Sequence, residues 1–203
     1  MTMKKSAYKP AILAEARKCF CKYGVRAVRM DDIAKNLNIS KRTIYEIYNT
    51  KEEVLLDVLE GILKDRLDYM TEYAESHESA FDVMLEALRM QLDFSVTTNV
   101  LFFNDLKRYP TVGESFMKNL KKQTNKSHEF FKKGVEQGYF LAYIDYSVFH
   151  SIVSGTMEMM QRSKEFQKLT YKELFVNFLS VVTRGICTPK GQQQLEAFLV
   201  KYI

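Results

Sequence analysis

The chain has 203 residues, 46% of them apolar, with eight glycines, three prolines and a net charge of +5. That apolar share excludes a disordered polyelectrolyte, and the scarcity of Gly and Pro excludes a turn-rich β protein. The three cysteines and three histidines are too scattered for a disulfide framework or a metal site, and no apolar run approaches the ~18 residues of a membrane span. The basic N-terminus has no apolar core behind it, as a signal peptide would. The totals therefore predict a cytoplasmic all-α protein with no metal, no cofactor and no membrane association.

Charge is unevenly spread. Residues 1–51 carry 12 Lys and Arg against 4 Asp and Glu, leaving 18 against 21 for the remainder. A basic head on a mildly acidic body implies a polyanionic partner for the head, or else a solvated basic surface.

In chain order, Pro10 opens a helix over 10–23, where Ile12, Leu13, Ala16 and Phe20 recur at helical spacing and Gly24 closes it. Two short helices follow at 30–37 and 41–48. Thr50 and Glu53 form a capping box for a long helix reaching about Tyr73, with Gly61 as a weak point inside it. Further helices are predicted at 78–96, 99–108 and 113–137, the last ending at Gly138. The apolar run "YFLAYIDYS" has no partner strand and reads as a loop leading to Asp145 as a helix cap. Helices at 146–164 and 171–186 follow, and Thr188-Pro189 restarts a last helix to about Lys201. The whole reads as nine or ten helices.

The pair at 30–48 fits a helix-turn-helix. Ile33, Leu37, Ile39, Ile44 and Ile47 fall where the two helices face each other and the core, and Ala34 supplies the small residue of close approach. Asn38 is the commonest non-glycine choice for a left-handed turn, and Ser40 caps the second helix. The outer face of that helix carries Lys41, Arg42, Thr43, Tyr45 and Glu46. In this motif the N-terminal residues of the second helix meet base edges in the major groove. Lys41 and Arg42 are accordingly the candidate base contacts. Arg29, Thr43, Tyr45 and Lys51 suit phosphate oxygens. Glu46 would repel phosphate, so it either reads cytosine N4 or points away.

With these motifs in place, "ILAEARKCFCKYG" followed by "MDDIAKNLNISKRTIYEIYNTKEEVLLDVL" resembles the TetR family of bacterial transcription regulators over roughly residues 10–60. The chain departs from the family pattern in three places. Val28 and Arg29 stand where a Thr usually starts the first helix of the motif, so Asp31 and Asp32 must support that helix start electrostatically. Asn38 stands where the family often has Gly. Tyr45-Glu46-Ile47-Tyr48 replaces the usual Tyr-x-His-Phe or Tyr-x-Tyr-Phe.

The resemblance implies a DNA-binding domain over 1–50 and a helical ligand-binding and dimerisation domain over 51–203. It implies a homodimer built by the last two long helices of the body, here with Ile152, Gly155, Met159, Leu174, Phe178 and Val182 at the contact. It also implies an internal small-molecule pocket, for which Phe94, Phe102, Phe103, Phe130, Met157 and Met160 are candidates, with Gln91, Asn104, His150 and Glu158 as polar ones. Aromatic and Met side chains suit an apolar or aromatic ligand, though the same residues at helical spacing also serve as plain core.

The expected function is sequence-specific regulation of transcription at a double-stranded DNA operator, as a repressor released by that ligand. The alternative is a ligand-independent, DNA-bound chromosome-organising protein. An enzyme is not expected, because no phosphate loop, Cys/His cluster or Ser-centred elbow occurs.

Overall fold

The computed structural model describes residues 7–106, 108–114, 127–163 and 169–202. The described residues are all-helical and hold no strand. The helices are α1 (Lys9–Tyr23), α2 (Met30–Asn36), α3 (Lys41–Tyr45), α4 (Lys51–Ser76), α5 (Ala80–Thr97), α6 (Val100–Leu106), α7 (Ser127–Glu136), α8 (Tyr146–Arg162), α9 (residues 171–186) and α10 (Pro189–Tyr202). The chain divides into two compact units, one of Met1–Asp68 with Val96–Gln123, the other of Tyr69–Ser95 with Thr124–Ile203. Helix α4 leaves the first unit after Asp68, and α5 returns to it at Val96.

The first unit is built on the apolar stripe of α1. Ile12, Ala16, Cys19 and Phe20 are buried with Val25 and Val28 of the following loop, Met30, Ile33 and Ala34 of α2, Ile44 of α3, and Val54, Leu55, Val58 and Leu59 of α4. The spacing of these residues on each helix is three to four, so each short helix gains its stability from one buried face. Asn99 joins α1 to α6. Its backbone N–H and its side-chain amide donate to the carbonyls of Cys21 and Lys22 at 2.8 and 3.0 Å, while its side-chain oxygen accepts from the Leu101 N–H at 2.9 Å. One residue thus closes α1 and opens α6. The buried Asp105 of α6 accepts from the Arg26 N–H at 2.7 Å, which fastens α6 to the loop after α1.

The second unit has an aromatic core. Phe81, Leu92, Phe140, Ile186, Leu195, Phe198 and Leu199 are buried, with Phe130, Phe131, Tyr146 and Phe149 packed against them. Phe131 stacks on Tyr146 at 4.5 Å. The run after Gly138 is a loop that makes a single antiparallel bridge, Phe140 to Cys187, with the Leu141 N–H donating to the Ile186 carbonyl and the Thr188 N–H to that of Tyr139, both at 2.9 Å. The partner is an irregular segment after α9, so no strand pattern announces it. Asp145 caps α8 by accepting from the Ser147 and Val148 N–H groups.

Several boundaries differ from the sequence expectation. The helix expected to fill 41–48 is regular only to Tyr45. The Ile47 N–H and the Tyr48 N–H both turn to the Ile44 carbonyl, so the last turn tightens as helix ends commonly do. The capping box of α4 is split. The Thr50 hydroxyl accepts from the Glu53 N–H at 3.2 Å, but the Glu53 carboxylate reaches one residue further back, to the Asn49 N–H at 2.8 Å. The helix expected at 113–137 is described at its two ends only, with 115–126 outside the described residues. The helix at 171–186 is interrupted by a π segment, Phe175–Leu179.

Gly24 ends α1 at φ +83°, and a Cβ there would meet Leu101 Cβ at 2.8 Å and Asp105 Oδ2 at 2.9 Å. Backbone strain and the clash act together, so Gly24→Ala is expected to destabilise the fold by about 1–3 kcal/mol in urea unfolding. An unchanged midpoint would show that α6 gives way without cost.

Candidate DNA interface

The turn between α2 and α3 explains how helices of seven and five residues coexist. Asn38 adopts φ 53°. The Ile39 N–H reaches the Ala34 carbonyl at 3.0 Å and the Asn38 N–H reaches that of Lys35 at 3.1 Å, which is the Schellman pattern with Asn38 as its left-handed residue. Ser40 then sits in extended backbone at φ −70° and ψ 148°, and its hydroxyl accepts from the Thr43 N–H at 3.0 Å. The end of one helix and the start of the next are therefore both satisfied within three residues. Ile33, Ala34 and Ile44 are buried, while Leu37, Ile39 and Ile47 are half-buried around them.

At the entry to α2 both acids, Asp31 and Asp32, lie in the first turn. The Asp32 carboxylate accepts a hydrogen bond from the Arg29 N–H at 2.8 Å, which satisfies the donor that a Thr in that place would not. Asp31 is turned elsewhere. It pairs with Lys41 across the turn, Oδ2 to Nζ at 2.8 Å. That hydrogen bond and the Asp31 charge push the Lys41 ammonium up from its ordinary value. The Lys41 ammonium also lies 5.8 Å from the centre of the Tyr45 ring. Arg42 pairs with Glu46 one turn on, at 3.1 Å. Lys41, Arg42 and Tyr45 are all exposed, and Arg29 and Lys35 are exposed without a carboxylate partner among the described residues.

The remaining candidates are engaged within the first unit. The Thr43 hydroxyl lies 2.8 Å from that of Ser40. The Lys51 ammonium donates to the carbonyls of Val25 and Val28, both at 3.1 Å, so it fastens the loop before α2 to the start of α4. Tyr48 is buried and donates its hydroxyl to Asp57 at 2.8 Å, where Lys9 also reaches at 2.9 Å. In the sequence Tyr48 stands out only as the end of the run that departs from the family pattern, and Asp57 and Lys9 carry no expected role. Tyr48 lies one α-turn after Ile44, and that spacing was the available signal for its burial.

The candidates expected for a ligand pocket are divided between the units. Phe102 and Phe103 belong to the first and make an edge-to-face contact at 5.5 Å. Phe94, Phe130 and Met160 belong to the second, where Phe130 packs on the aromatic core. Met157 lies outside the residues whose side chains are described. Within the second unit, a cleft of about 430 Å³ is lined by Tyr73, His77, Glu86, Arg89, Phe198 and Tyr202 among others, and by none of the expected residues. Burial pushes all three thiols up, Cys187 to about 11, which keeps them protonated near neutrality. Among the described residues there is no metal-holding cluster of His, Cys, Asp or Glu, and no helix long and apolar enough to cross a membrane.

Burial raises the Tyr48 phenol well above its ordinary range, and the hydrogen bond to Asp57 raises it further. The unfolded phenol ionises near pH ~10, so the stability held by this group is full below that pH and is lost as pH rises above it. Tyr48→Phe is expected to cost about 1 kcal/mol at neutral pH and to flatten the fall in stability above pH ~10. Urea unfolding of both proteins across that range checks this, and parallel alkaline limbs would refute it.

Residues 12–58 match the family model described as bacterial regulatory proteins, tetR family. Among curated proteins, the chain is similar to the uncharacterized HTH-type transcriptional regulator YhgD of Bacillus subtilis, at 29% identity over 96 residues, which are 45% of this chain and 50% of YhgD. It is also similar to the HTH-type transcriptional repressor KstR2 of Mycobacterium tuberculosis, at 23% identity over 185 residues, which are 86% of this chain and 90% of that repressor. Among solved structures, KstR2 superposes with a TM-score of 0.54 at 19% identity, covering 89% of this chain and 95% of that one. RolR in complex with resorcinol superposes with a TM-score of 0.58 at 15% identity, covering 98% and 95%. The matched segment contains the turn at Asn38, the cap at Ser40 and the basic face of α3, so residues 12–58 form a helix-turn-helix of the kind that the tetR family model describes.

Proposed function

We propose that the protein is a dimeric, sequence-specific transcriptional repressor, with a DNA-binding domain over 1–50 and a ligand-binding and dimerisation domain over 51–203. It leaves its operator when a small apolar or aromatic molecule binds the body. The observation that carries this reading is the rigid turn at Asn38 and Ser40, which sets Lys41 and Arg42 exposed on the first turn of α3. In a helix-turn-helix those are the positions that meet base edges, and Arg there pairs bidentately with guanine. Arg29, Thr43, Tyr45 and Lys51 are proposed to grip the flanking phosphates. For Lys51 this means adding a phosphate to the two carbonyls it already holds.

The proposed dimer rests on an exposed stripe of α8 and a partly exposed one of α9. On α8, Val148, Ile152, Gly155 and Met159 recur at spacings of four, three and four. The three larger side chains are 51%, 63% and 56% exposed, and nothing lies within 4 Å of a Cβ placed on Gly155. On α9, Leu174, Phe178, Val181 and Gly185 repeat the same spacing, with Val181 56% exposed and Gly185 equally open. Val182 lies half-buried beside them. Apolar residues left in water at heptad-like spacing, with glycines admitting a close neighbour, suit a helix pair supplied by a second copy of the chain.

The release step follows from linkage. A ligand that binds more tightly to a body whose two α3 helices no longer match the groove spacing draws the population away from DNA, by no more than its preference between the two states. The name of KstR2 as a repressor and the resorcinol held by RolR support a repressor with a small-molecule site, and the aromatic residues of α5 to α8 favour an apolar or aromatic ligand.

Selection of bound duplexes from a random library at about 150 mM salt is expected to return a near-palindrome with half-sites about one helical turn apart. Binding without an enriched sequence, fading only with salt, would favour a chromosome-organising role. Ile152→Glu places a carboxylate in the proposed dimer face. It is expected to give a monomer in sedimentation and to weaken binding to the full site by roughly 100-fold or more, since one half-site's contribution is lost. A variant that stays dimeric would refute this interface.

A further inference from the structure

Both cations placed to read bases are held by carboxylates of the same chain. Lys41 is bound to Asp31 at 2.8 Å and Arg42 to Glu46 at 3.1 Å. Arg29 and Lys35, which border the same face, have no carboxylate partner among the described residues. The two cations that would touch sequence are paired with carboxylates, whereas, among the described residues, Arg29 and Lys35 are not.

We propose that Asp31 and Glu46 are specificity-determining residues of the helix-turn-helix, acting by holding the two base-reading cations away from random phosphates. This rests on the reading of α3 as the recognition helix. A free cation meets a phosphate in every register along DNA and adds the same affinity to right and wrong sequences. A cation already held by a carboxylate gains little from a phosphate. It exchanges one anionic oxygen for another and leaves the charge of its former partner beside a polyanion. Guanine changes that balance. It offers Arg42 two acceptors, N7 and O6, in the geometry of the guanidinium fork, and the paired cytosine offers its N4–H to a released carboxylate. Only a matching base pair compensates both members of the ion pair, so the carboxylates penalise non-specific binding more than specific binding.

The test uses the full-length protein, the selected duplex and a scrambled duplex of equal length, with binding read by fluorescence anisotropy over a salt series. Asp31→Asn and Glu46→Gln each free one cation for phosphate. Each is expected to tighten scrambled-duplex binding about fivefold at roughly 150 mM salt and to steepen the log–log salt slope by about 0.9. The selected duplex is expected to tighten by less than about twofold, so that discrimination falls. Asp31 also lies in the first turn of α2, so unfolding of Asp31→Asn is followed in parallel, and Glu46→Gln gives an independent reading from α3. Glu75→Gln, the same charge change at an exposed site in the second unit, is expected to alter neither affinity. Scrambled-duplex affinity and salt slope unchanged in both carboxylate variants would overturn the proposal. So would equal tightening on both duplexes, which would make the carboxylates simple repellers. Failure of the wild-type protein to select any sequence would instead overturn the regulator reading itself.

Discussion

Two helices as short as α2 and α3 exist only because their ends are satisfied by the residues between them. A seven-residue helix and a five-residue helix leave most of their backbone groups without an internal partner. The left-handed backbone at Asn38 returns two donors to the carbonyls of α2, and the extended backbone at Ser40 returns a hydroxyl to the first turn of α3. With those bonds in place the angle between the helices is set. Ile33, Ala34 and Ile44 are then buried together with Phe20 and Leu55 in the first unit, and Lys41 and Arg42 are carried to the outside together. The outward placement of the basic face of α3 is therefore a consequence of how the residues of the turn dispose of their hydrogen bonds.

The same logic governs the rest of the first unit. Lys51 ties two carbonyls of the loop before α2 to the start of α4, and Asp57 gathers Tyr48 and Lys9 beneath α3. Charged side chains are thereby used as fasteners within the unit. That use bears on how a basic head is read. An excess of eight positive charges over residues 1–51 is not an excess of eight DNA contacts, since Lys9, Arg17, Lys41, Arg42 and Lys51 all have partners in the chain itself.

The features legible in the sequence are those written locally. The helix-turn-helix, the left-handed Asn38, the Ser40 cap and the Asp145 cap each depend on residues close along the chain, and propensity and spacing are sufficient to find them. The features that escaped depend on distance along the chain. Asp31 and Lys41 are ten apart, Lys51 lies 26 and 23 residues from the carbonyls it holds, and Phe140 pairs with Cys187 with no strand on either side to signal it. The π segment in α9 escaped for another reason. Its residues have an unbroken apolar helical pattern, and the extra residue per turn is a matter of packing that periodicity does not record. Glu46 stood at the boundary. Its i, i+4 relation to Arg42 is written locally, while its place on the outer face of α3 suggests a base contact as readily as an ion pair.

Asn99 narrows what drift the chain can accept. It serves as donor to the carboxyl end of α1 and as acceptor at the amino end of α6, from one short side chain. Aspartate and serine are the usual substitutes at a helix start and would keep the second role. Aspartate has no donor for the Lys22 carbonyl, and serine's hydroxyl is too short to span both helix ends. Glutamine carries both groups, on a longer stem that misplaces them. A position that sits exposed on the surface, and looks free to vary by that measure, is favoured by geometry as asparagine, and a change there gives up one of the two side-chain bonds at the junction of α1 with α6.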